Sequence, residues 1–235
     1  MKRILIVPLA LLFAAGSALA SPLCGSASLS SYISAYGTND VTNACQIGDK
    51  LFYDFSYSGS TLAPDSSGIT VDLFAGATPA DPGLSFGSFG FAVYGGQTLD
   101  ATITYSVATV SGSSLLEDYS LDIAGAYFDG SAITGIGSVT ESFSNPAVGP
   151  LVDAIVPGGV NSVSGAVIFN PHVSGTTVTT AIHMTLPETD ETGFITISGV
   201  NEGFSEQLPE PGVVVLIGSG LCFLGLRRKA RKTRA

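Results

Sequence analysis

Alternation of apolar and polar residues with a period of two limits the fold of this chain more than any other feature. In residues 99–109 one face carries the apolar set Leu99, Ala101, Ile103, Tyr105 and Val107. The same alternation recurs at 51–58, 69–73, 138–143 and 178–184. It is typical of antiparallel strands with one buried face. Less regular strands are predicted at 86–94, 119–128, 160–169 and 194–200.

These segments predict one all-β domain over residues 21–207, built as an antiparallel β-sandwich of about nine or ten strands. A jelly roll and an immunoglobulin-like sandwich both fit the pattern. No ten-residue stretch of this region has a helical period. Turns are expected at Gly95-Gly96, Asp129-Gly130 and Gly158-Gly159, and proline-bearing loops at 79–82, at 146–157 and at Pro187.

The first twenty residues have the layout of a secretory signal peptide, which forms a short helix. Two cations precede an uncharged apolar run at 4–15, and Ala18 and Ala20 form a small-x-small site that predicts cleavage before Ser21. A membrane anchor is the first alternative, but the run is short for a span. A lipoprotein signal is the second alternative, but it needs a small residue just before Cys24, and that residue is Leu23. We therefore expect export by the Sec translocon and cleavage by signal peptidase.

A second apolar run, residues 212–226, lies near the other end and contains no charge. As a helix its fifteen residues extend about 22 Å, a marginal membrane span suited to transient retention. The alternatives are a buried helix of the domain and a nucleic-acid-binding tail. A basic segment follows at once and is expected to stay cytoplasmic as a stop signal. It comprises Arg227, Arg228, Lys229, Arg231, Lys232 and Arg234.

The tripeptide Pro209-Glu210-Pro211 stands just before that run. Pro-Glu-Pro, an apolar segment and a basic end, in that order, resemble the PEP-CTERM sorting signal of Gram-negative bacteria, over residues 208–235. The resemblance implies processing near the motif by an exosortase-like membrane enzyme, in cells that make exopolysaccharide and biofilm matrix. Cys222 departs from the plainest form of the signal. It is interpreted as a small apolar filler, with lipidation or processing as the alternative.

The charge balance of the expected mature domain differs from that of the whole chain. Between Ser21 and Leu208 there are eighteen acids and one base, Lys50, which gives a formal charge of −17. Phosphate binding needs Lys and Arg, so a nucleic-acid partner is excluded. An unaided contact with an anionic membrane is also disfavoured. A solvated exterior is the simplest reading, and attraction of divalent cations or basic partners stays open.

Two cysteines, Cys24 and Cys45, lie in this domain with twenty residues between them. Export delivers them to an oxidising compartment, so we predict a disulfide bond. They include no CxxC motif and make a poor metal site on their own. The stretch 24–57 resembles the N-terminal part of an uncharacterised set of PEP-CTERM proteins, a likeness that brings no activity with it.

Signals of catalytic chemistry are weak, and no catalytic, metal-binding or cofactor-binding residue is predicted. Residues 83–87 match G-x-S-x-G around Ser85, but the strand, turn and helix of a nucleophile elbow are not expected around them. His172 and His183, the two histidines, match no zinc spacing and are interpreted as surface residues.

Two acidic sets and five tyrosines remain as candidates for binding. The acidic sets are Glu117, Asp118, Asp122 and Asp129, and Glu188, Asp190 and Glu191. Neither set is an EF-hand loop, and loop calcium is the alternative to a solvated loop. Exposed tyrosines in a sandwich form sugar-stacking surfaces, although core packing explains most aromatic residues. The candidates are Tyr32, Tyr36, Tyr94, Tyr119 and Tyr127.

The sequence therefore predicts an exported, exosortase-processed protein with a structural or interaction role in an exopolysaccharide biofilm. It is expected first as an inner-membrane-tethered precursor, then at the cell surface or outer membrane or in the extracellular matrix. The alternative is a carbohydrate-binding module or adhesin for matrix polysaccharide. A secreted hydrolase is the least favoured function, because no credible base or nucleophile was found.

Overall fold

The structure is a computed structural model that describes residues 21–75, 82–110, 115–129, 135–144, 148–156, 159–161, 167–189 and 192–206. Within these ranges the chain forms one α-helix, α1 (Leu29–Tyr36), one short 3-10 helix (Val41–Asn43) and sixteen strands. The strands are β1 (Ala27–Ser28), β2 (Cys45–Ile47), β3 (Lys50–Gly59), β4 (Thr70–Ala75), β5 (Pro82–Gly87), β6 (Ala92–Tyr94), β7 (Thr98–Thr109), β8 (Leu116–Ala124), β9 (Tyr127–Asp129), β10 (Ile136–Phe143), β11 (Leu151–Val156), β12 (Gly159–Asn161), β13 (Val167–Val173), β14 (Gly175–Thr185), β15 (Phe194–Thr196) and β16 (Gly199–Glu206).

The strands form two large sheets and one small sheet, and each pair of neighbouring strands is antiparallel. The six-stranded sheet has the order β1-β4-β5-β16-β8-β13, and the seven-stranded sheet has the order β12-β11-β10-β14-β7-β3-β2. The two sheets pack face to face, because Phe52 and Tyr105 of the second lie 6.0 and 6.4 Å, ring to ring, from Phe204 of the first. The small sheet is β6-β15-β9. The prediction of a mostly β, antiparallel sandwich is confirmed.

Strand β7 shows why the alternation is reliable in the long central strands. Its predicted apolar face is buried along its whole length, from Leu99 to Val107. β14 pairs with eleven of the twelve residues of β7, from Thr185 opposite Thr98 to Gly175 opposite Ala108. A strand with neighbours on both sides and a second sheet over one face must keep its apolar side chains on that face.

Several predicted boundaries change in the structure. Ten of the sixteen described strands have six or more residues, and six have two or three, which is too short to show a period. The segment predicted at 86–94 is divided by the exposed Phe89 into β5 and β6, and the one at 119–128 is divided into β8 and β9. The loop predicted at 146–157 was wrong over Leu151–Val156, which is β11. There Leu151 and Ile155 point into the core, and the prolines only flank the strand.

Helix α1 was not predicted, because its eight residues are too few to give a period. It begins where the Ser28 hydroxyl accepts a hydrogen bond from Ser31 N at 3.3 Å. Leu29 and Tyr32 are its buried residues, and the Tyr32 ring packs edge-on against Phe55 at 5.1 Å. The helix thus covers one side of β3.

The Cys24–Cys45 disulfide bond is present and ties the first described residues to β2. Beside it, Gln46 N donates to Pro22 O at 2.8 Å, and Gln46 pairs with Leu51, next to Lys50. The last described residue, Glu206, also contacts Lys50. Both ends of the described chain therefore lie at one end of the sandwich, called here the proximal end, where Lys50 pairs with Thr109.

The opposite, distal end is where Thr98 pairs with Thr185. The twelve residues of β7 separate the two ends by about 37 Å. The small sheet lies at the distal end. Two hydrogen bonds join the segment just before β7 to the segment just after β14: Leu186 N donates to Gln97 O at 2.9 Å, and Gly96 N donates to Pro187 O at 3.2 Å. Ile195 of β15 packs beside Gly137 of β10.

No helix in the described part of the chain is long and apolar enough to cross a membrane. The predicted signal peptide, with Ala18 and Ala20, lies outside the described residues. So do the predicted sorting motif (209–211), the apolar run and the basic tail (227–234).

Candidate functional site

An exposed row of three aromatic rings lies on the outer face of the small sheet. Phe194 of β15 is opposite Tyr94 of β6, and their ring centroids are 6.1 Å apart. Tyr127 of β9 lies on the other side of Phe194 at 5.3 Å. Neighbouring rings are tilted by 32° and 34°. We call Tyr94, Phe194 and Tyr127 the aromatic row.

The alternation of the small strands explains why these rings face outward. Val93 and Ile195 are fully buried on the inner face of the same sheet, so their neighbours Tyr94 and Phe194 point away from the core. Tyr94 keeps 58% and Tyr127 keeps 53% of its surface exposed. These two tyrosines and the partly exposed Phe194 between them form a contiguous apolar patch, and such patches on soluble proteins are often functional.

A tight turn fixes the position of Tyr94. Gln97 Oε1 accepts a hydrogen bond from Tyr94 N at 3.0 Å, and Gln97 N donates to Tyr94 O at 3.0 Å. Gly96 in this turn has φ +74°, a conformation that glycine adopts without strain. The predicted Gly95-Gly96 turn is therefore confirmed, and it places Tyr94 rigidly at the distal end.

The structure separates the five candidate tyrosines. Tyr32 and Tyr119 are buried, and Tyr36 is half-buried against Tyr32 at 5.5 Å. Only Tyr94 and Tyr127 remain as surface platforms. Phe194 was missed as a candidate, although it begins a segment predicted as a strand. The sequence alone does not show which residues of 194–200 face the core. In the structure Ile195 and Ile197 are buried, so the Phe194 side chain points outward.

A pair of buried glutamates is the second unusual cluster. Glu141 of β10 and Glu202 of β16 reach toward each other from opposite sheets and are both fully buried. Tyr105 Oη donates to Glu202 Oε2. The Thr180 hydroxyl lies 2.7 Å from Glu202 Oε1 and 3.3 Å from Glu141 Oε1. We call Glu141 and Glu202 the acid pair.

Burial raises the pKa of both carboxyl groups of the acid pair. The charge of Glu202 raises the pKa of Glu141 further, whereas hydrogen bonds from Glu141, Tyr105 and Thr180 offset part of the effect on Glu202. Two adjacent buried carboxylates cannot both be ionised at low cost. The acid pair therefore holds a proton to a higher pH than an exposed glutamate does.

Tyr119 lies beside the acid pair and is also buried. Its hydroxyl and Glu141 Oε2 make no well-formed hydrogen bond within the described residues. Burial, followed by the charge of Glu141, raises the pKa of Tyr119 well above its ordinary value. All five side chains of this cluster are enclosed between the sheets, so no substrate reaches the carboxyl groups and the cluster is structural.

The acid pair was missed by sequence reasoning although a signal exists. Glu141 stands between Val139 and Phe143 on the apolar face of its strand. Glu202 stands in the same way between Val200 and Phe204, whose side chains are buried. A glutamate on an apolar face predicts a buried carboxylate. Only the packing of the sheets shows that the two residues meet.

Lys50, the one base predicted for the mature domain, is fully buried at the proximal end. Its Nζ lies 2.5 Å from Glu206 Oε1 and 3.4 Å from Asp49 Oδ1. Burial, followed by hydrogen bonding with Asp49, raises the pKa of Glu206, and Lys50 opposes this. The ion pair joins the β2–β3 turn to the end of β16, so it links the two large sheets.

The G-x-S-x-G sequence forms strand β5, with no helix after it. Ser85 Oγ donates to Asn201 Oδ1 at 2.7 Å on the outer face of the six-stranded sheet. His183 Nδ1 lies 2.7 Å from Asp100 Oδ1 on the outer face of the seven-stranded sheet. The sandwich separates Ser85 from His183, and His172 lies on β13. The geometry does not provide a serine nucleophile with a histidine base.

The acidic sets are dispersed by the fold. Glu117, Asp118 and Asp122 lie along β8, whereas Asp129 is in β9 of the small sheet. Glu188 is exposed beyond β14, and Asp190 and Glu191 lie outside the described residues. Among the residues that the structure describes, no three His, Cys, Asp or Glu side chains are grouped to hold a metal ion.

The fold and its surface define an antiparallel β-sandwich domain with an exposed aromatic row. No known protein family matches the chain, and no curated protein is similar to it. Among solved structures, TmCBM61 in complex with β-1,4-galactotriose matches with a TM-score of 0.30 and 6% identity, over 63% of this chain and 86% of that chain. A likeness of this size carries no conclusion about the fold or ligand of this chain.

Proposed function

We propose that this chain is an exported protein that an exosortase-like enzyme processes and delivers to the cell surface or extracellular matrix, where it has an interaction role. The Cys24–Cys45 disulfide bond is the observation that supports this proposal most directly. Disulfide bonds persist in oxidising compartments outside the cytoplasm. The bond thus agrees with the signal peptide predicted just before it.

The position of β16 also supports removal of the C-terminal segment. β16 lies between β5 and β8 in the interior of its sheet, and it ends at Glu206, three residues before Pro209. The pairing of the last described strand is therefore complete before the sorting motif begins. Cleavage at the motif leaves every strand of the described part of the chain in place.

The arrangement of the two ends supports the same order of events. Pro22 and Glu206 both lie at the proximal end, beside the β2–β3 turn. While both apolar segments are in the inner membrane, the domain is held by one end and its distal end points away. The domain folds in that position without threading either end through the structure.

Intact-mass spectrometry of the protein recovered from its host cells tests this proposal. We expect a product that begins at Ser21, ends near Pro209–Pro211 and carries a disulfide bond between Cys24 and Cys45. The variant Glu210→Ala should accumulate with the tail attached, whereas the matched control Glu188→Ala, an exposed acid 22 residues earlier in the sequence, should be processed normally. Native protein that retains Ala235 and stays embedded in lipid contradicts the proposal.

Polysaccharide recognition is the second candidate function, and the aromatic row is the observation that favours it. Matrix polysaccharide is the polymer that an exported protein of this kind meets in a biofilm. Polysaccharide recognition concerns what the domain binds after delivery, so this function is compatible with export and processing.

A further inference from the structure

The aromatic row is an exposed cluster of rings that packing inside the domain does not explain. Tyr94 and Tyr127 each expose more than half of their surface, whereas Tyr32, Tyr105 and Tyr119 are buried in the core. Burying an aromatic side chain is among the largest favourable contributions to folding. Tyr94 and Tyr127, on either side of Phe194, stay largely in contact with water. A ligand that covers their rings would therefore gain the free energy of burying them.

The support under the row is rigid, which lowers the entropic cost of binding. Val93 and Ile195 anchor the inner face of the small sheet, and Ile195 packs beside Gly137 of the seven-stranded sheet. The turn after Tyr94 is closed by its two hydrogen bonds with Gln97. A surface that is already ordered loses little conformational freedom when it binds.

The charge around the row selects against anionic ligands. Lys50 is the single Lys or Arg in the described part of the chain, and it is buried at the proximal end against Glu206. Two acidic residues stand next to the row: Asp129 of β9 pairs with Phe194, and Glu188 lies beside Gly96. Acidic polymers, phosphates and anionic lipid headgroups therefore meet repulsion and no compensating cation.

The size of the row argues against a protein partner. Two half-exposed tyrosine rings and the less exposed ring of Phe194 offer at most about 300 Å² of surface, far below the roughly 800 Å² that each side of a stable protein interface buries. A row of flat rings is instead matched to the flat apolar faces of pyranose sugars. The tyrosine hydroxyls suit a ligand that stays partly in water.

We infer that Tyr94, Phe194 and Tyr127 form a stacking site for a neutral polysaccharide, presented at the end of the sandwich opposite to both chain ends. This inference rests on the proposed function, because such a polymer lies outside the cell. The separation of about 37 Å along β7 keeps the site clear of the membrane while the precursor is tethered. Neighbouring rings are tilted by 32° and 34° to each other, so a chain that stacks on all three must be extended and turn gently along its length.

Hydroxyl-radical footprinting of the unmodified protein recovered from its host cells tests the site. The probes are three neutral polymers, hydroxyethylcellulose, galactan and galactomannan, with alginate as the anionic comparison. We expect at least one neutral polymer to protect Tyr94, Phe194 and Tyr127 from oxidation. Phe89, which is 98% exposed and outside the row, should stay unprotected and serves as the internal control. Equal protection of Phe89, or protection by alginate alone, overturns the inference.

Affinity gel electrophoresis with the same polymers provides the variant test. Tyr94→Ala and Tyr127→Ala should each weaken binding about ten-fold, because each removes one stacking ring. Tyr94→Phe and Tyr127→Phe keep the ring and should change affinity less than about two-fold. Phe89→Ala, a matched loss of an exposed ring elsewhere, should bind like the unmodified protein. No retardation by any neutral polymer, or an equal loss in Phe89→Ala, contradicts the inference.

The outcomes separate this inference from the proposed function. If the recovered protein binds a neutral polymer but retains Ala235, the stacking site is supported and the proposed processing is contradicted. If the recovered protein is cut at the motif but shows neither retardation in the gel nor protection of the row, the proposed processing is supported and the stacking site is contradicted.

Discussion

Lys50 Nζ and Glu206 Oε1 form a buried ion pair 2.5 Å long that joins the two sheets at the proximal end of the sandwich. Lys50 is fully buried, and the Glu206 side chain is 11% exposed. A buried charge that loses its partner costs several kcal/mol, whereas removal of both charges is tolerated far better. The pair therefore ties the end of β16 to the start of β3, and we expect the loss of either residue alone to destabilise the domain.

Replacing Lys50 should reveal this dependence. We expect Lys50→Met to lower the free energy of unfolding by about 3 kcal/mol, since Glu206 and Asp49 are left facing each other without a cation. The double variant Lys50→Met with Glu206→Leu should recover most of this loss. Urea unfolding followed by circular dichroism measures both. Equal losses in the single and double variants would contradict a direct interaction.

The acid pair predicts a stability that falls as pH rises. Because burial raises the pKa of Glu141 and Glu202, the folded state keeps a proton that the unfolded state has already released above glutamate's ordinary pKa of 4.5. Folding is therefore favoured at low pH and is weakened from that point upward, by as much as about 1.4 kcal/mol per pH unit for each proton. Thermal unfolding between pH 5 and pH 9 measures the slope.

Glu141→Gln separates the acid pair from other titrating groups. Glutamine keeps the size of the side chain and cannot ionise, so the slope above pH 5 should become flatter and the variant should be more stable than the unmodified protein at pH 9. Glu188→Gln, at an exposed position, should leave the slope unchanged. An unchanged slope in Glu141→Gln would show that the carboxyl group of Glu141 does not control the pH dependence.

Loss of the disulfide bond should destabilise the domain without changing its sheets. The bond closes a loop with a sequence separation of 21 residues, and loop-closure entropy assigns it about 3 kcal/mol. We expect Cys24→Ser with Cys45→Ser to lower the free energy of unfolding by about that amount in urea titrations. Ser120→Ala, at an exposed position of β8, is the control and should unfold like the unmodified protein. A loss below about 1 kcal/mol would contradict the loop-closure account.

Gly83 should be intolerant of any side chain. A Cβ atom at this position of β5 would overlap the backbone carbonyl oxygen of Glu202 on the neighbouring β16. We expect Gly83→Ala to cost about 2–3 kcal/mol of unfolding free energy, because β5 and β16 must separate. Gly149→Ala, with no atom within 4 Å of the added Cβ, should change stability little. This first glycine of the G-x-S-x-G sequence is thus explained by close strand packing and not by catalysis.

The long strands were predictable because one face of each is buried along most of its length. β7 and β14 pair over eleven residues, and every second side chain must avoid water. The small strands β6, β9 and β15 fall in segments predicted as strands at 86–94, 119–128 and 194–200, but their separation from β5, β8 and β16 could not be predicted, because three residues show no period. The same limit hid α1, which depends on Tyr32 packing against Phe55.

The candidate site was predictable only in part. Tyr94 and Tyr127 were among the five candidate tyrosines, but exposure separates them from Tyr32 and Tyr119, and exposure depends on which sheet covers each ring. Phe194 enters the row through its register with Tyr94, a pairing across one hundred residues of sequence. Local sequence patterns carry no information about such a distance.

The sequence by itself determined the strand content, the cysteines that pair and the extreme acidity of the domain, because periodicity and composition are local properties of the chain. The tertiary structure alone decided that Glu141 meets Glu202, that Lys50 meets Glu206 and that three aromatic rings share one surface. Each of these relationships joins residues from different strands. Strand order and register bring them together, and both depend on how the whole chain buries its apolar faces at once.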